Sequence, residues 1–152
     1  MSEPQPPPFP FTRETTIRID EHGAFHHDGQ PVTHPGLARA FASWLDVDPE
    51  SGRYILKNSI NWAFVTVDDA PLVARAARAE GDDLVLELSD GSSEKLDVAS
   101  LRVEPGDVPY CDVRGGKLPA KLLPGAAFAL FEWLGDREAP RVARGEGARR
   151  RG

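Results

Sequence analysis

Four histidines, His22, His26, His27 and His34, lie close together early in the chain with Asp28 among them. These are zinc-binding residue types. Their spacing argues against a shared ion. His26 and His27 are neighbours on a predicted strand and point to opposite faces, and no paired cysteines or HExxH spacing accompany them. They read as exposed histidines on an edge hairpin, and no metal and no cofactor is expected. Asp68 and Asp69 have the chemistry of a general acid–base pair. Adjacent residues at a strand end diverge, however, and an Asp before a turn commonly accepts backbone N–H groups. Cys111 with one of the histidines would make a nucleophilic dyad, but no base lies near it in sequence, and a small buried strand residue is the simpler role. Tyr110, Arg114 and Lys117 supply a ring, a fork of donors and a flexible cation. That set suits a small anionic or planar ligand, and an exposed strand end accounts for it equally well. Gly115-Gly116-Lys117 lacks P-loop spacing, and no GxSxG elbow occurs.

The elements that must position these residues are organised around a stretch that occurs twice. His34-Pro35-Gly36 opens one copy, which closes on Trp44-Leu45; Leu123-Pro124-Gly125 opens the other, which closes on Trp133-Leu134. Each follows an aromatic-polar strand and a Gly-containing turn, at Phe25 to Gly29 and Tyr110 to Gly116. The pattern predicts one strand-turn-helix unit used twice. In the first helix, Pro35 to Leu45, an apolar stripe runs through Leu37, Ala40, Phe41, Trp44 and Leu45, with Arg39 and Ser43 facing away. In the second, Ala126, Ala129, Leu130, Trp133 and Leu134 repeat the stripe, while Phe128 and Phe131 add apolar groups opposite. That helix is therefore expected to be buried on more than one side and to be the more central, wedged between the two halves.

Between the copies the chain reads as strands. Thr15 to Ile19 and Ala24 to His27 flank a turn at Asp20 to Gly23, and Asp28-Gly29 is a tight turn because both residues tolerate positive φ. Pro31 and Pro35 are expected to rule out regular structure until Gly36. Asp46 to Gly52 reads as a loop and Arg53 to Lys57 as a strand. Ile60 to Val67 is apolar on both faces, as a covered central strand would be, which makes Trp62 a core residue. Asp68 to Pro71 ends it. Leu72 to Glu80 favours helix by propensity and strand by its neighbours, and the residues alone leave both open. Leu84, Leu86 and Leu88 alternate into a turn at Ser89 to Ser92 and a return strand through Leu96 and Val98. Leu101 to Val103 reads as another short strand, and Pro105-Gly106 as a turn.

Composition sets the outer limits. The 152 residues carry a net charge of −6, and one cysteine excludes an internal disulfide and suits a reducing compartment, with cytoplasm expected. No apolar run approaches the roughly 20 residues of a membrane helix, and no secretory signal is visible. In residues 141–152 five arginines stand against Glu146, a net +4, which leaves residues 1–140 at about −10. An acidic body repels phosphate backbones, so no nucleic-acid role is expected for the folded part. The expected organisation is a disordered proline-rich arm (1–14, with Phe9 and Phe11 as anchors), an N-terminal α+β half (15–71), a β-rich C-terminal half with a final helix (72–136) and a disordered basic tail (137–152).

The ordered series from Thr15 to Leu134 resembles the uncharacterised bacterial family called domain of unknown function 1285. The resemblance rests on Ile19 to Gly29 with Pro31, the helix ending near Leu45, Gly52 to Leu56, Val67 to Pro71, and Pro109-Tyr110 with Val113-Arg114 and Gly116. It implies an antiparallel α+β protein of two similar halves with a cleft between them. It also implies a strand after Pro71, and a role in binding a small ligand or in signalling, with no reaction established. The chain departs from the family pattern at Asn58 to Asn61, where members carry Thr-Pro and an acidic residue. A second departure is at Leu122-Leu123-Pro124, where members carry an arginine. The reading that follows is a ligand-binding or signalling-related module without catalysis, with Asp68, Asp69, Tyr110, Arg114 and Lys117 as ligand contacts. The alternative is a small hydrolase using Cys111 or Asp68 with a histidine.

Overall fold

The structure, a computed structural model, describes residues 13–137. Most of the proline-rich arm, its anchors Phe9 and Phe11, and the basic tail beyond Arg137 lie outside the described residues. The fold is mixed α+β, mostly strands in open sheets with two helices. The chain divides into two units, Met1–Pro71 and Leu72–Gly152.

In the first unit, β1 (Arg18–Ile19), β2 (Phe25–His27) and β3 (Gln30–Pro31) form an antiparallel meander. Ile17 and Ile19 are buried together, as their alternation requires. Asp28 (φ 53°) and Gly29 (φ 78°) make the tight turn between β2 and β3. Pro31 does not exclude a strand: β3 is the sheet's edge, where a missing N–H breaks no central ladder. The first helix, α1 (Pro35–Ser43), is shorter than its stripe suggests. Trp44 is only its cap, and Leu45 already belongs to β4 (Leu45–Val47), so the stretch expected to be loop begins as a strand. The stripe itself is half-buried at Ala40 and Phe41 and exposed at Leu37, while Ala42 is the helix's buried residue. β4 pairs with β5 (Tyr54–Lys57), and β5 with β6 (Trp62–Phe64).

The run Ile60 to Val67 is not one central strand. It supplies β6 to the sheet β4-β5-β6 and β7 (Thr66–Val67) to the sheet β3-β2-β1-β7, where β7 lies parallel to β1. Ala63 and Val65 point inward and are buried, while Trp62 and Phe64 are half-buried and Ile60 is exposed. The outer apolar face is covered by arginines rather than by a second layer. Arg13 lies over the Trp62 ring at 4.2 Å, Trp62 meets Phe64 edge-on at 5.3 Å, and Arg53 lies over Phe64 at 3.6 Å. A guanidinium on an aromatic face is attracted by the ring quadrupole, so a strand can look apolar on both sides and still face water. Arg13 and Glu14, expected to belong to the arm, are thereby tied to the sheet. The Phe64 N–H donates to the Arg13 carbonyl (2.7 Å), and Arg53 holds Glu14 through both carboxylate oxygens at 2.9 and 3.0 Å.

Among the described residues, the second unit is a six-stranded sheet with one helix against it. β8 (Leu72–Glu80), β9 (Asp83–Leu88), β10 (Ser93–Lys95), β11 (Arg102–Glu104), β12 (Val108–Val113) and β13 (Leu118–Leu122) stand in the order β10-β9-β8-β13-β12-β11. Among the described residues, β8 and β13 are this sheet's one parallel pair. A single 3-10 turn, Val98–Ser100, replaces the end of the expected return strand. The final helix, α2 (Pro124–Asp136), lies across β8, β9 and β13. Its buried residues are Ala126, Leu130, Trp133 and Leu134, one stripe. Phe128 (66% exposed) and Phe131 (39%) point away, so α2 buries one side only, and its apolar circumference did not imply a second cover. Arg137 caps the helix, lies over the Trp133 ring at 4.4 Å and donates to the Asp82 carbonyl (2.9 Å), so it belongs to the fold rather than to the tail.

The segment Leu72 to Glu80 is a strand, and a bulge at Arg75 explains its ambiguous pattern. Ala74 pairs with Leu88 and Ala76 with Glu87, so β8 carries one extra residue between them. A side-chain period of two would otherwise turn Arg78 and Glu80 to the helix side. The extra residue shifts the phase, so Ala77 and Ala79 share the face of Leu84, Leu86, Leu72 and Ala120. Ala77→Asp should therefore destabilise by about 1–3 kcal/mol, whereas Ala76→Asp should stay within about 0.5 kcal/mol. Urea denaturation of the two variants checks this, and the reverse order would mean a flush pairing.

Candidate functional site

Along β12 the side chains alternate strictly: Pro109, Cys111 and Val113 are buried, while Val108, Tyr110 and Asp112 are half-buried on the other face. The buried set lies on the side of the sheet that α2 covers, through the pairs Cys111 with Ala120 and Ala120 with Leu72. Tyr110 therefore stands on the opposite face. There its register neighbours are Arg102 on β11 and Lys121 on β13, so the three strands present a row of cation, ring and cation. Arg102 is steadied by Asp112 (3.1 Å) and by the Ser100 carbonyl (3.0 Å), and the Ser100 hydroxyl accepts the Asp112 N–H (2.9 Å). Arg102 and Lys121 were not singled out by sequence reasoning. The signal that finds them is register: both are charged residues on short strands, and only the pairing with β12 brings them to Tyr110.

Arg114 has a different setting from Tyr110. It lies at positive φ (57°) at the head of the turn Arg114-Gly115-Gly116, a conformation unfavourable for a side chain of its size. Its guanidinium holds Asp90 through Nη2 (2.8 Å) and Nε (3.2 Å), and its N–H donates to Glu94 (3.0 Å). The β9–β10 and β12–β13 turns are thus clamped together. The Asp90 carboxylate, 5% exposed, also accepts the N–H and hydroxyl of Ser92 at 2.9 and 2.6 Å. Burial pushes its pKa up. The Ser92 and Arg114 hydrogen bonds and the Arg114 charge outweigh this, and the carboxyl sits below its ordinary value. Lys117, at the end of the same turn, is exposed, and its N–H donates to the Arg114 carbonyl (3.2 Å).

In the first unit Asp68 pairs with Arg18 across the parallel strands β7 and β1, and its N–H donates to the Ile19 carbonyl (2.9 Å). Asp69 beside it is exposed. The four histidines have separate local partners: His26 with Asp20 (2.8 Å), His22 with Glu21 (3.4 Å) and His27 with Asp28 (3.7 Å), while Nδ1 of His34 accepts the Leu37 N–H (3.2 Å) and caps α1. Asp20 also accepts the N–H groups of His22 and Ala24, both at 2.9 Å. Partial burial raises its pKa, but the His26 bond and these two N–H groups lower it further, leaving the carboxyl below its usual range. Among the described residues no three His, Cys, Asp or Glu side chains gather as a metal-binding group.

Cys111 is fully buried, and burial pushes its thiol up to about 12, with Asp112 adding to the effect. The thiolate is the reactive species, and at neutral pH it would be on the order of one part in 10⁵.

With this geometry in view, two solved structures share the architecture. One is a DUF1285 family protein from Silicibacter pomeroyi DSS-3, with TM-score 0.66 and 24% identity, covering 86% of this chain and 78% of that one. The other is a DUF1285 family protein from Shewanella baltica OS155, with TM-score 0.65 and 23% identity, covering 78% of this chain and 92% of that one. The chain has the DUF1285 fold. The resemblance drawn from its ordered motifs thus holds at the level of architecture. No family model and no curated protein matches the sequence. Both departures from the DUF1285 pattern have local structural roles. Asn58 accepts the N–H groups of Ile60 (2.8 Å) and Asn61 (2.9 Å), which turns the chain into β6. Leu123 is the N-cap residue of α2 and has no side-chain cap bond; its N–H donates instead to the Ala74 carbonyl beside the bulge (3.0 Å).

Two outcomes follow for these groups. Asp90 has a folded-state pKa below its unfolded value of about 3.9, so its contribution is present above that pH and is lost as pH falls through the lower folded value. Asp90→Asn should remove that part of the acid dependence and cost about 1–3 kcal/mol at neutral pH, read from urea midpoints across the acid range. Iodoacetamide should leave Cys111 unmodified in the native protein at neutral pH and alkylate it in urea, as mass spectrometry would report.

Proposed function

We propose that this protein is a non-catalytic binding module, related to signalling, that takes a small anionic or planar ligand. The observation that supports this most is the row Arg102–Tyr110–Lys121 on the face of the sheet opposite α2. A phenol ring flanked by a guanidinium and an ammonium offers a stacking surface between two positive charges in a chain of net charge −6. In this reading Tyr110 is the central contact, Lys121 and Arg102 are the cations, and Arg114 and Lys117 shape the turn at one end of β12. Asp68 and Asp69 are a separate candidate in the first unit, at the strand end after β7. In each unit a hairpin runs into a Pro-Gly helix, β2–β3 into α1 and β12–β13 into α2, which supports reading the chain as a pseudo-repeat. The single cysteine suits a cytoplasmic setting.

The hydrolase alternative needs a reactive Cys111 or Asp68. A thiol raised to about 12 and a carboxylate paired with Arg18 both argue against it.

The test is a thermal-shift screen with aromatic carboxylates and nucleoside monophosphates, followed by calorimetry. A stabilising compound should lose about tenfold or more in affinity with Tyr110→Ala and with Lys121→Ala, the scale of one stacking or charge-assisted contact. A compound whose affinity survives both substitutions would place the ligand elsewhere. Hydrolysis of a model ester that depends on Cys111 or Asp68 would overturn the non-catalytic reading.

A further inference from the structure

The row across β11, β12 and β13 is not symmetric in charge. Arg102 stands beside Tyr110, but its Nη1 donates to Oδ1 of Asp112 at 3.1 Å and to the Ser100 carbonyl at 3.0 Å. Asp112 lies two residues beyond Tyr110 on β12 and shares its face. Glu104, exposed and two residues beyond Arg102 on β11, shares that face as well. The Arg102 side of the ring thus carries one cation and two carboxylates, a formal −1 (+1 from Arg102, −1 each from Asp112 and Glu104). The opposite side carries Lys121, a formal +1. The remaining neighbours of Tyr110 on this face are apolar and half-buried: Val108 opposite Glu104, and Pro119 opposite Asp112.

We propose, resting on the assignment of this face to a small ligand, that it selects a dipolar planar molecule. The ligand is an aromatic ring with an anionic group directed to Lys121 and a donor group, of amidinium type, directed to Asp112 and Glu104. Neighbouring strands lie about 4.8 Å apart, so β11 and β13 stand roughly 10 Å apart across β12. A ring lying over Tyr110 with a substituent at each end reaches both sides. Val108 and Pro119 add apolar margins and no charge, so stacking sets the position of the ring and its substituents set its direction. A carboxylate has about four acceptor sites, and the Arg102 bond uses one of those on Asp112. A donor group from the ligand completes a charge-assisted hydrogen bond there. A molecule anionic at both ends would set its second anion against two carboxylates, and that repulsion is the basis of the selection.

Calorimetry of the full chain with 4-amidinobenzoate and with terephthalate tests this polarity. The first probe should bind about tenfold more tightly than the second, the scale of one hydrogen bond to a charged group, and the ratio should shrink as salt is raised. Asp112→Asn with Glu104→Gln should bring the ratio to about one, chiefly by weakening the amidine. Lys121→Ala should weaken both probes. An unchanged melting transition confirms that the variants fold. Equal or tighter binding of terephthalate that is lost with Tyr110→Ala would overturn the polarity and leave the site standing, as would a preference that survives the double substitution. Binding of neither probe, or binding indifferent to Tyr110→Ala, would overturn the site assignment and the polarity with it.

Discussion

One extra residue in β8 governs the second unit. The side-chain period of a strand admits no compromise: a residue faces either the helix or the other side. Leu72 and Ala74 require one phase, and Arg78 and Glu80 require the other. The bulge at Arg75 reconciles them, and the pairing with β9 continues on both sides of it. The same place anchors α2. The Leu123 N–H reaches the Ala74 carbonyl, and Gly125 lies near the Arg75 carbonyl, where a side-chain carbon would sit 3.6 Å away. A local irregularity in one strand thus fixes both the apolar face and the point where the covering helix begins.

The polar residues of this unit fall into two groups with different consequences. Asp90, Glu94 and Arg114 are joined in a clamp between two turns, and the strained backbone at Arg114 is held by contacts at its N–H and its guanidinium. Arg102, Tyr110 and Lys121 sit on regular strands, where their spacing is set by the ladder rather than by loops. The backbone under such a row is fixed by strand pairing rather than by turn geometry. The cation that sequence reasoning favoured, Arg114, is the one the fold employs for itself. The cations beside Tyr110 come from β11 and β13.

Local chemistry was the legible part of the sequence. Alternation at Leu84, Leu86 and Leu88, the turn at Asp28-Gly29 and the Pro-Gly helix starts are all decided within a few residues, and the strands and helices they imply are present. Readings failed where the deciding partner was distant. The outer face of β6 looked like core because nothing local says that Arg13 and Arg53 will cover it. The end of α1 depended on Leu45 pairing with Leu56 of β5 and on the Trp44 carbonyl accepting the Lys57 N–H. Phe128 and Phe131 looked like a second buried side because apolarity reports what could be covered, not what is. Of the candidate residues, Tyr110 was named from its residue type, whereas its face and its neighbours needed the register of three strands.

The borders of the six-stranded sheet carry a consequence of their own. Both are three-residue strands, β10 with Ser93, Glu94 and Lys95 and β11 with Arg102, Val103 and Glu104, so each border has one cation and one anion. An incoming strand would find a template too short to zip along and would bury mixed charge as it arrived. Neither border of this sheet thus invites pairing with a further strand.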